Sequence, residues 1–213
     1  LSEKKITKGT KFVIEASSYQ LDYSKIFRSK YAIILNIRAD HIERHRSLRN
    51  YINAKFKLLE SQTKNCIAYV KKNDEYINQK VKLKKINCKI IKVDTKKVDV
   101  IFKSISNDYF LSETNKENLS FVIKVSKRLK LKKRLVFQTI QNFKGLKYRQ
   151  QITFKNKNLT IINDSKSTSF SSTESILKAK SNIFWLLGGI HKKNDKLKMK
   201  KKDFNNVKAF VFG

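Results

Sequence analysis

Proline is absent from these 213 residues, and glycine occurs only five times, at positions 9, 145, 188, 189 and 213. The first absence excludes proline-rich linkers. The second leaves no glycine-rich loop of the kind that cradles phosphates. Cysteine is limited to Cys66 and Cys88. They form no CxxC pair and no zinc framework, and each adjoins apolar residues ("CIAYV", "INCKII"), as buried thiols in a reducing compartment do. No apolar run reaches ~18 residues, so no helix is expected to span a bilayer. No signal peptide is visible, and a cytoplasmic location is expected. Acid is scarce too: 17 Asp and Glu face 49 Lys and Arg, a formal charge of +32.

Taken alone, that surplus points to nucleic acid or an anionic membrane surface. Here the charge is mostly lysine and runs from end to end rather than gathering in one stripe. With plentiful Ile and Asn, it matches the bias of an AT-rich coding sequence whose surface positions drift to lysine. The densest cluster, "KVSKRLKLKKR" (124–134), is either a local phosphate-binding face or a solvated helix surface. Hydrophobic residues make up 40% and charged residues 31%. That is enough apolar material, over this length, for one large or two modest domains with a real core. The chain starts at Leu1 and stops at "VKAFVFG", where a buried strand would hand over to a loop, so a fragment is expected.

The apolar pattern alternates strands with helices, which predicts an α/β fold with a mainly parallel sheet. A short strand is expected at Phe12–Glu15, a fully buried one at 30–37 ("KYAIILNI") and a helix over 47–62. A further strand ("NCIAYVKKND") ends at Asn73–Asp74. Residues 79–110 read as short β segments, and 115–131 as a helix. A second unit is expected from residue 146. It holds a hairpin-like start, a buried strand Leu159–Asn163, a helix opened by a Ser171/Glu174 capping box, and strands at "NIFWLLGG" and "VKAFVFG". That order, β-α-β-α-β, begins a nucleotide-binding half-fold, whose ligands sit beyond the carboxyl ends of the strands.

Those strand ends carry the chemistry. Lys55 falls within the apolar stripe of Leu48, Tyr51, Ile52, Leu58 and Leu59 at ~100° per residue. A lysine there needs a lowered pKa, a carboxylate partner or a modified amine, unless its stem snorkels past a short face. Glu15 ends an apolar strand, where a carboxylate is costly unless paired or on a metal. The stretch "ILNIRADHIERH" (34–45) places Asp40 and His41 at the end of the next. Glu15, His41 and Lys55 are therefore expected to converge beyond one sheet edge, around a hard ion such as Mg²⁺. His41 and His45 have the i, i+4 spacing of a zinc pair but lack a third ligand, so His45 is expected at the surface or beside the site. In "NDSKSTS", Asp164 can hold a ribose or a metal-bound water, Lys166 can neutralise phosphate, and Thr168 can donate to a carboxylate; the same residues also suit a plain helix-start turn. "GGIHKK" can bring Lys192 to an anion, or be an ordinary βα turn.

"EASSYQLD", "ILNIRADHIERHRSLRNYINAKFKLLESQ", "FKGLKYRQQ", "INDSKSTSFSSTESIL" and "LLGGIHKKNDK", in this order, resemble the Mur ligases, in particular the branch that adds D-glutamate to UDP-N-acetylmuramoyl-L-alanine. The resemblance covers nearly the whole chain and is weakest over 75–112. It implies the later part of a P-loop-type central ATPase domain (1–145), then the first half of a Rossmann-like carboxyl-terminal domain (146–213). It implies ATP-dependent amide formation through an acyl phosphate, in peptidoglycan precursor synthesis. Glu15, His41 and Lys55 would hold magnesium, with Lys55 carbamylated, and Ser17 would hold the uridine-linked substrate. Asn115 and Asn118 would lie near adenine, Arg149 and Asp164 would face ATP, and Lys166 the phosphoryl end. Thr168 and Lys192 would bind the D-glutamate carboxylates. Domain closure would bring amine to acyl phosphate.

The chain departs from the family pattern in several places. The phosphate loop G-x-x-x-x-G-K-[ST] is absent and should lie upstream of Leu1, with the uridine-binding domain. Thr114 and Tyr148 stand where the family has His, and Ser169 where Asn is typical. Residues 1–213 alone are not expected to be catalytically competent. The competing readings are a sister Mur or folylpolyglutamate-type ligase, and a basic nucleic-acid-binding module. The second would need exposed aromatics interleaved with basic residues on one surface; the Phe and Tyr here lie mostly in apolar runs. A monomer without nucleic acid or membrane partners is expected.

Overall fold

The computed structural model describes residues 6–38, 42–96, 104–190 and 195–212. They fall into two compact units, Leu1–Lys92 and Val93–Gly213. The sequence boundary at 145/146 lies inside the second.

In the first unit the apolar segments Tyr31–Ile34 (β1), Ile67–Lys71 (β2) and Lys89–Val93 (β3) form one sheet in the order β1-β2-β3. β1 and β2 are parallel, in register from Tyr31 opposite Ile67 to Ile34 opposite Val70. Central β2 is buried on both faces, as a continuous apolar run between neighbours should be. β1 ends the strand order, and its outward Ile33 is exposed; the expectation of full burial over 30–37 is corrected there. The helix Leu48–Glu60 (α3) starts at Ser47, whose Oγ accepts the Asn50 N–H, and buries Tyr51, Ala54, Phe56 and Leu59. Phe56 and Leu59 join Ala32, Ile34, Ala68, Val70 and Ile77 in one core. Burying each such large side chain contributes about 1.5–3 kcal/mol. Cys88 is buried and Cys66 half-buried, both free thiols. Burial pushes the Cys88 thiol up, which keeps it unreactive.

Two further expectations fail in this unit. Phe12–Glu15 forms no regular element, no strand of the described residues pairs with it, and Val13 is 99% exposed. Apolar sequence without a ladder partner does not make a strand. The beginning of the supposed β region, 79–83, lies instead in the helix Glu75–Leu83 (α4). Its Ile77 and Val81, one turn apart, face the core, so the period is helical where the local alternation looked β-like.

Among the described residues after β3, the second unit has a 3-10 turn, Asp108–Leu111, followed by the helices Glu113–Arg128 (α5) and Lys133–Gln141 (α6). Leu119, Ile123 and Ile140 pack with Phe110, Val136 and Phe137 between them. The basic cluster 124–134 thus straddles the end of α5, a turn through Lys130 at φ 53, and the start of α6. Gln151–Lys155 (β4) and Thr160–Asn163 (β5) form the expected hairpin. β5 is not the buried strand expected, since Leu159 and Ile161 are about half exposed. The helix Phe170–Ala179 (α7) has Ser169 at its N-cap position. Ser171 therefore lies inside the helix, and Glu174 instead pairs with Lys178 at 3.6 Å. Ile183–Gly188 (β6) and Val207–Phe212 (β7) form a separate parallel pair, preceded at β7 by the short 3-10 turn Lys201–Phe204. Among the described residues β5 and β6 do not share a sheet, so the single β-α-β-α-β sheet is not formed. Phe184, Leu186, Phe210, Val211 and Phe212 are half exposed or more, which corrects the reading of "VKAFVFG" as a buried strand.

Asp74 is the tie that places α4. Its Oδ1 accepts the Ile77 N–H at 3.0 Å, capping the helix, while Oδ2 accepts the N–H of buried Ile37 beyond β1, at 2.9 Å. Asp74→Ala removes a cap and strands a buried donor, and should cost about 2–3 kcal/mol in urea unfolding. Asp74→Asn keeps one acceptor and should lose about half of that.

Candidate functional site

In the first unit the helix Ser18–Tyr23 (α1) is set by a reciprocal capping box. Ser17 Oγ accepts the Gln20 N–H at 3.2 Å, and Gln20 Oε1 accepts the Ser17 N–H at 2.8 Å. The Ser17 side chain is thus engaged locally. Glu15, two residues earlier, is exposed. α1 is held to α3 by His45, the last residue of the short helix Ile42–His45 (α2). His45 is buried rather than at the surface: its Nε2 lies 3.0 Å from Ser18 Oγ. The ring stacks on Tyr19 at 5.4 Å and meets the edge of Tyr51 at 5.5 Å. Lys55 is half-buried, with its Nζ 4.9 Å from the centroid of that same Tyr51 ring. Lys57 points outward and donates to both Asp22 O and Asp22 Oδ1 at 2.7 Å. That hydrogen bond holds the Asp22 carboxyl below its usual range, with burial opposing and the charges of Lys57, His45 and Arg44 assisting.

A connected path therefore runs from the start of α1 through Ser18, His45 and Tyr51 to Lys55. His41 lies outside the described residues, so the meeting of Glu15, His41 and Lys55 is not described. Among the described residues no three His, Cys, Asp or Glu side chains gather as a metal site.

The second unit holds a tighter cluster. Ser112 caps α5, and Asn115, one turn on, is 6% exposed. The Asn115 Nδ2 donates to Tyr109 O at 2.7 Å and to Gln150 Oε1 at 3.0 Å. Ser112 Oγ donates to the same Gln150 oxygen at 2.9 Å. The Gln150 N–H in turn donates to Asp164 Oδ1 at 2.9 Å, while Ser167 Oγ donates to Asp164 Oδ2 at 2.7 Å. The turn itself is closed by backbone bonds, Arg149 N–H to Leu146 O and Lys166 N–H to Tyr148 O. Burial pushes the Tyr109 phenol up; Arg149 counters it and Asp164 adds to it, so both charges bear on that ring.

Of the residues singled out from sequence, Asn115, Arg149, Asp164 and the backbone of Lys166 are brought to one place. Asn118 follows Asn115 by three residues on α5 and is half-buried. Arg149, Lys166 and Thr168 are exposed. Lys192 lies outside the described residues. Gln150, the hub of the network, was not singled out. A glutamine in "YRQQ" carries no local signal, because its role depends on residues far away in the chain.

Residues 1–136 match the Mur ligase middle domain. The UDP-N-acetylmuramoylalanine--D-glutamate ligase of Rickettsia bellii is 29% identical, over 99% of this chain and 51% of the relative. The protein of the same name from Rickettsia prowazekii is 32% identical, over 95% and 49%. The chain thus spans about half the length of these curated relatives. Among solved structures, MurF ligase from Thermotoga maritima in complex with ADP has a TM-score of 0.66 at 14% identity, covering 92% of this chain and 52% of that one. UDP-N-acetylmuramate-alanine ligase MurC from the same organism has a TM-score of 0.59 at 17% identity, covering 92% and 47%. At such identities the likeness speaks for the fold, which is α/β with parallel strand pairs as expected.

Gly145 lets the cluster close. At φ +77 its backbone is left-handed, and a Cβ there would lie 2.6 Å from the Tyr109 ring. Gly145→Ala should destabilise the protein by about 1–3 kcal/mol. It should also weaken the near-UV circular dichroism of Tyr109, whose ring meets Phe110 and Phe143 edge-on.

Proposed function

The chain belongs to the Mur ligase family, and from that premise we propose that it works within an ATP-dependent ligase joining D-glutamate to UDP-N-acetylmuramoyl-L-alanine. The observation that carries the reading is the gathering of Asn115, Arg149 and Asp164 around Tyr109 and Gln150. These come from α5 and from the two ends of the β4–β5 hairpin, and they are the residues expected to face ATP. The relatives' names support the substrates. Residues 1–145 then belong to the central ATP-binding domain and 146–213 to the carboxyl-terminal one.

Phosphoryl transfer is catalysed mostly by positioning and charge neutralisation. The Arg149 guanidinium and the Lys166 ammonium are exposed cations on a turn whose backbone is already fixed. They suit a polyphosphate. Asp164 is held as an acceptor by Gln150 and Ser167, which aims its charge at a ribose or at a hydrated ion. The substrate carboxylate takes the γ-phosphoryl group. The D-glutamate amine then attacks the acyl carbon, and phosphate leaves. Thr168 and Lys192 would bind the two amino-acid carboxylates, and Ser17 the uridine-linked substrate.

The magnesium reading is tested by the donors in the first unit. Glu15 offers one exposed carboxylate, but Lys55, as an ammonium over the Tyr51 ring, offers no oxygen. As they stand, the described donors do not fit the ion, and no step is routed through it. A carbamate on Lys55 would replace the cation by two oxygens and make Glu15, His41 and Lys55 a hard-oxygen set with one imidazole.

In the whole protein, phosphate release from ATP with UDP-N-acetylmuramoyl-L-alanine should depend on D-glutamate. Release with L-lysine, L-alanine or L-glutamate but none with D-glutamate would assign the chain to a sister ligase. Lys55→Ala should lower turnover at least about a hundredfold, with partial recovery in short-chain carboxylic acids such as acetate. Turnover that no such acid restores would count against the carbamate.

A further inference from the structure

We propose that Gln150 is a positioning residue that fixes which face of the Asn115 amide a nucleotide base meets, and so sets a preference for adenine over guanine. The inference rests on the reading above in which Asn115 faces the base.

The orientation of the Asn115 amide follows from its partners. Tyr109 O can only accept, so the group 2.7 Å from it must be the Asn115 NH₂. The second hydrogen of that NH₂ needs another acceptor, and Gln150 Oε1 supplies it at 3.0 Å. Gln150 is oriented in the same way. Ser112 Oγ accepts the Asn115 N–H at 3.4 Å as a helix cap, so its own proton goes to Gln150 Oε1, 2.9 Å away. The opposite end of that side chain, Nε2, lies 3.5 Å from Ser175 Oγ. The Gln150 backbone is anchored independently, by its N–H to Asp164 Oδ1 at 2.9 Å and by a left-handed φ of 46. With both amide hydrogens bonded within the network, the hydrogen-bonding group left to Asn115 is its Oδ1, an acceptor. Adenine carries an amino donor at its six-position and guanine a carbonyl acceptor. Such an acceptor suits the first and repels the second.

The test measures kcat and KM for ATP and for GTP in the whole protein, with Gln150→Leu and Gln150→Glu. A glutamate still accepts from both Ser112 and Asn115, whereas leucine accepts from neither. Gln150→Leu should raise the ATP KM about tenfold with kcat within about twofold, and lower the ATP-over-GTP preference about tenfold, the scale of one hydrogen bond. Gln150→Glu should keep the wild-type preference. A leucine variant with unchanged preference, or a glutamate variant that loses it, overturns the role of Gln150 and leaves the ligase reading intact. Should the leucine variant fail to fold, the glutamate variant decides alone. A wild-type protein that does not prefer ATP over GTP would instead remove the base-facing reading of Asn115, and this inference with it.

Discussion

The first N–H groups of a helix have no partner within the helix, and this protein answers that constraint with side chains at almost every functional turn. Ser17 closes the start of α1, Ser47 that of α3, Asp74 that of α4 and Ser112 that of α5. A chain without proline and nearly without glycine has few other ways to set a turn. It accepts left-handed backbone at ordinary residues instead: Arg46, Lys130, Tyr148, Gln150 and Asn182 all have positive φ. Each such residue is held by bonds from elsewhere or sits in a short connection, so the turns are fixed from outside rather than by their own sequence. The candidate nucleotide residues lie at one of these helix starts and at one of these turns. That is why they are brought together.

Some of the scarce acids are taken up in surface pairs with lysine. Lys57 on Asp22 and Lys84 on Glu60 are partly exposed pairs, each contributing under about 1 kcal/mol. Asp22 has its carboxyl pKa lowered. Its contribution is therefore present above the unfolded carboxylate range and fades as pH falls through the folded value. Lys80 shows the other outcome: burial pushes its ammonium pKa down, the nearby Lys84 adds to that, and its hydrogen bond goes to the neutral Asn53 amide. A lysine-rich surface of this kind says little about what the protein binds. Asp74 and Asp164 carry more information, because each accepts from two separate groups.

What could be read from sequence was whatever repeats at short range. The helical period over 48–60, the apolar runs of β1 and β2, the β4–β5 hairpin and the parallel β6–β7 pair all correspond to local patterns. The misreadings occur where a tertiary partner decides. Asp74 turns "KVKL" into the end of a helix by capping it. Asp195, whose Oδ2 accepts the Phe170 N–H at 2.8 Å, meets the start of α7 ahead of the expected capping box. Val13 and Ile14 have the composition of a strand but, among the described residues, no strand pairs with them. In the site, Asn115, Arg149 and Asp164 were legible because each belongs to a motif, whereas Gln150 and buried His45 were not. Both act by touching residues that are remote in the chain.

The turn at 148–150 shows how a strained backbone is retained. Tyr148 and Gln150 sit at φ 64 and 46, a conformation costing about 1–3 kcal/mol for such residues. All three N–H groups there, and the Tyr148 carbonyl, are bonded. Tyr148 N–H goes to Gln151 Oε1, Tyr148 O accepts from Lys166, Arg149 N–H goes to Leu146 O, and Gln150 N–H goes to Asp164. The strain is offset by bonds that could equally have stabilised a relaxed loop, so stability alone does not account for the arrangement. It has one evident consequence: two successive left turns flank Arg149 and leave its side chain exposed, while Asp164 and Asn115 are held on either side of Gln150. Tyr148 keeps that backbone path through its main-chain N–H and carbonyl, which ask nothing of its ring.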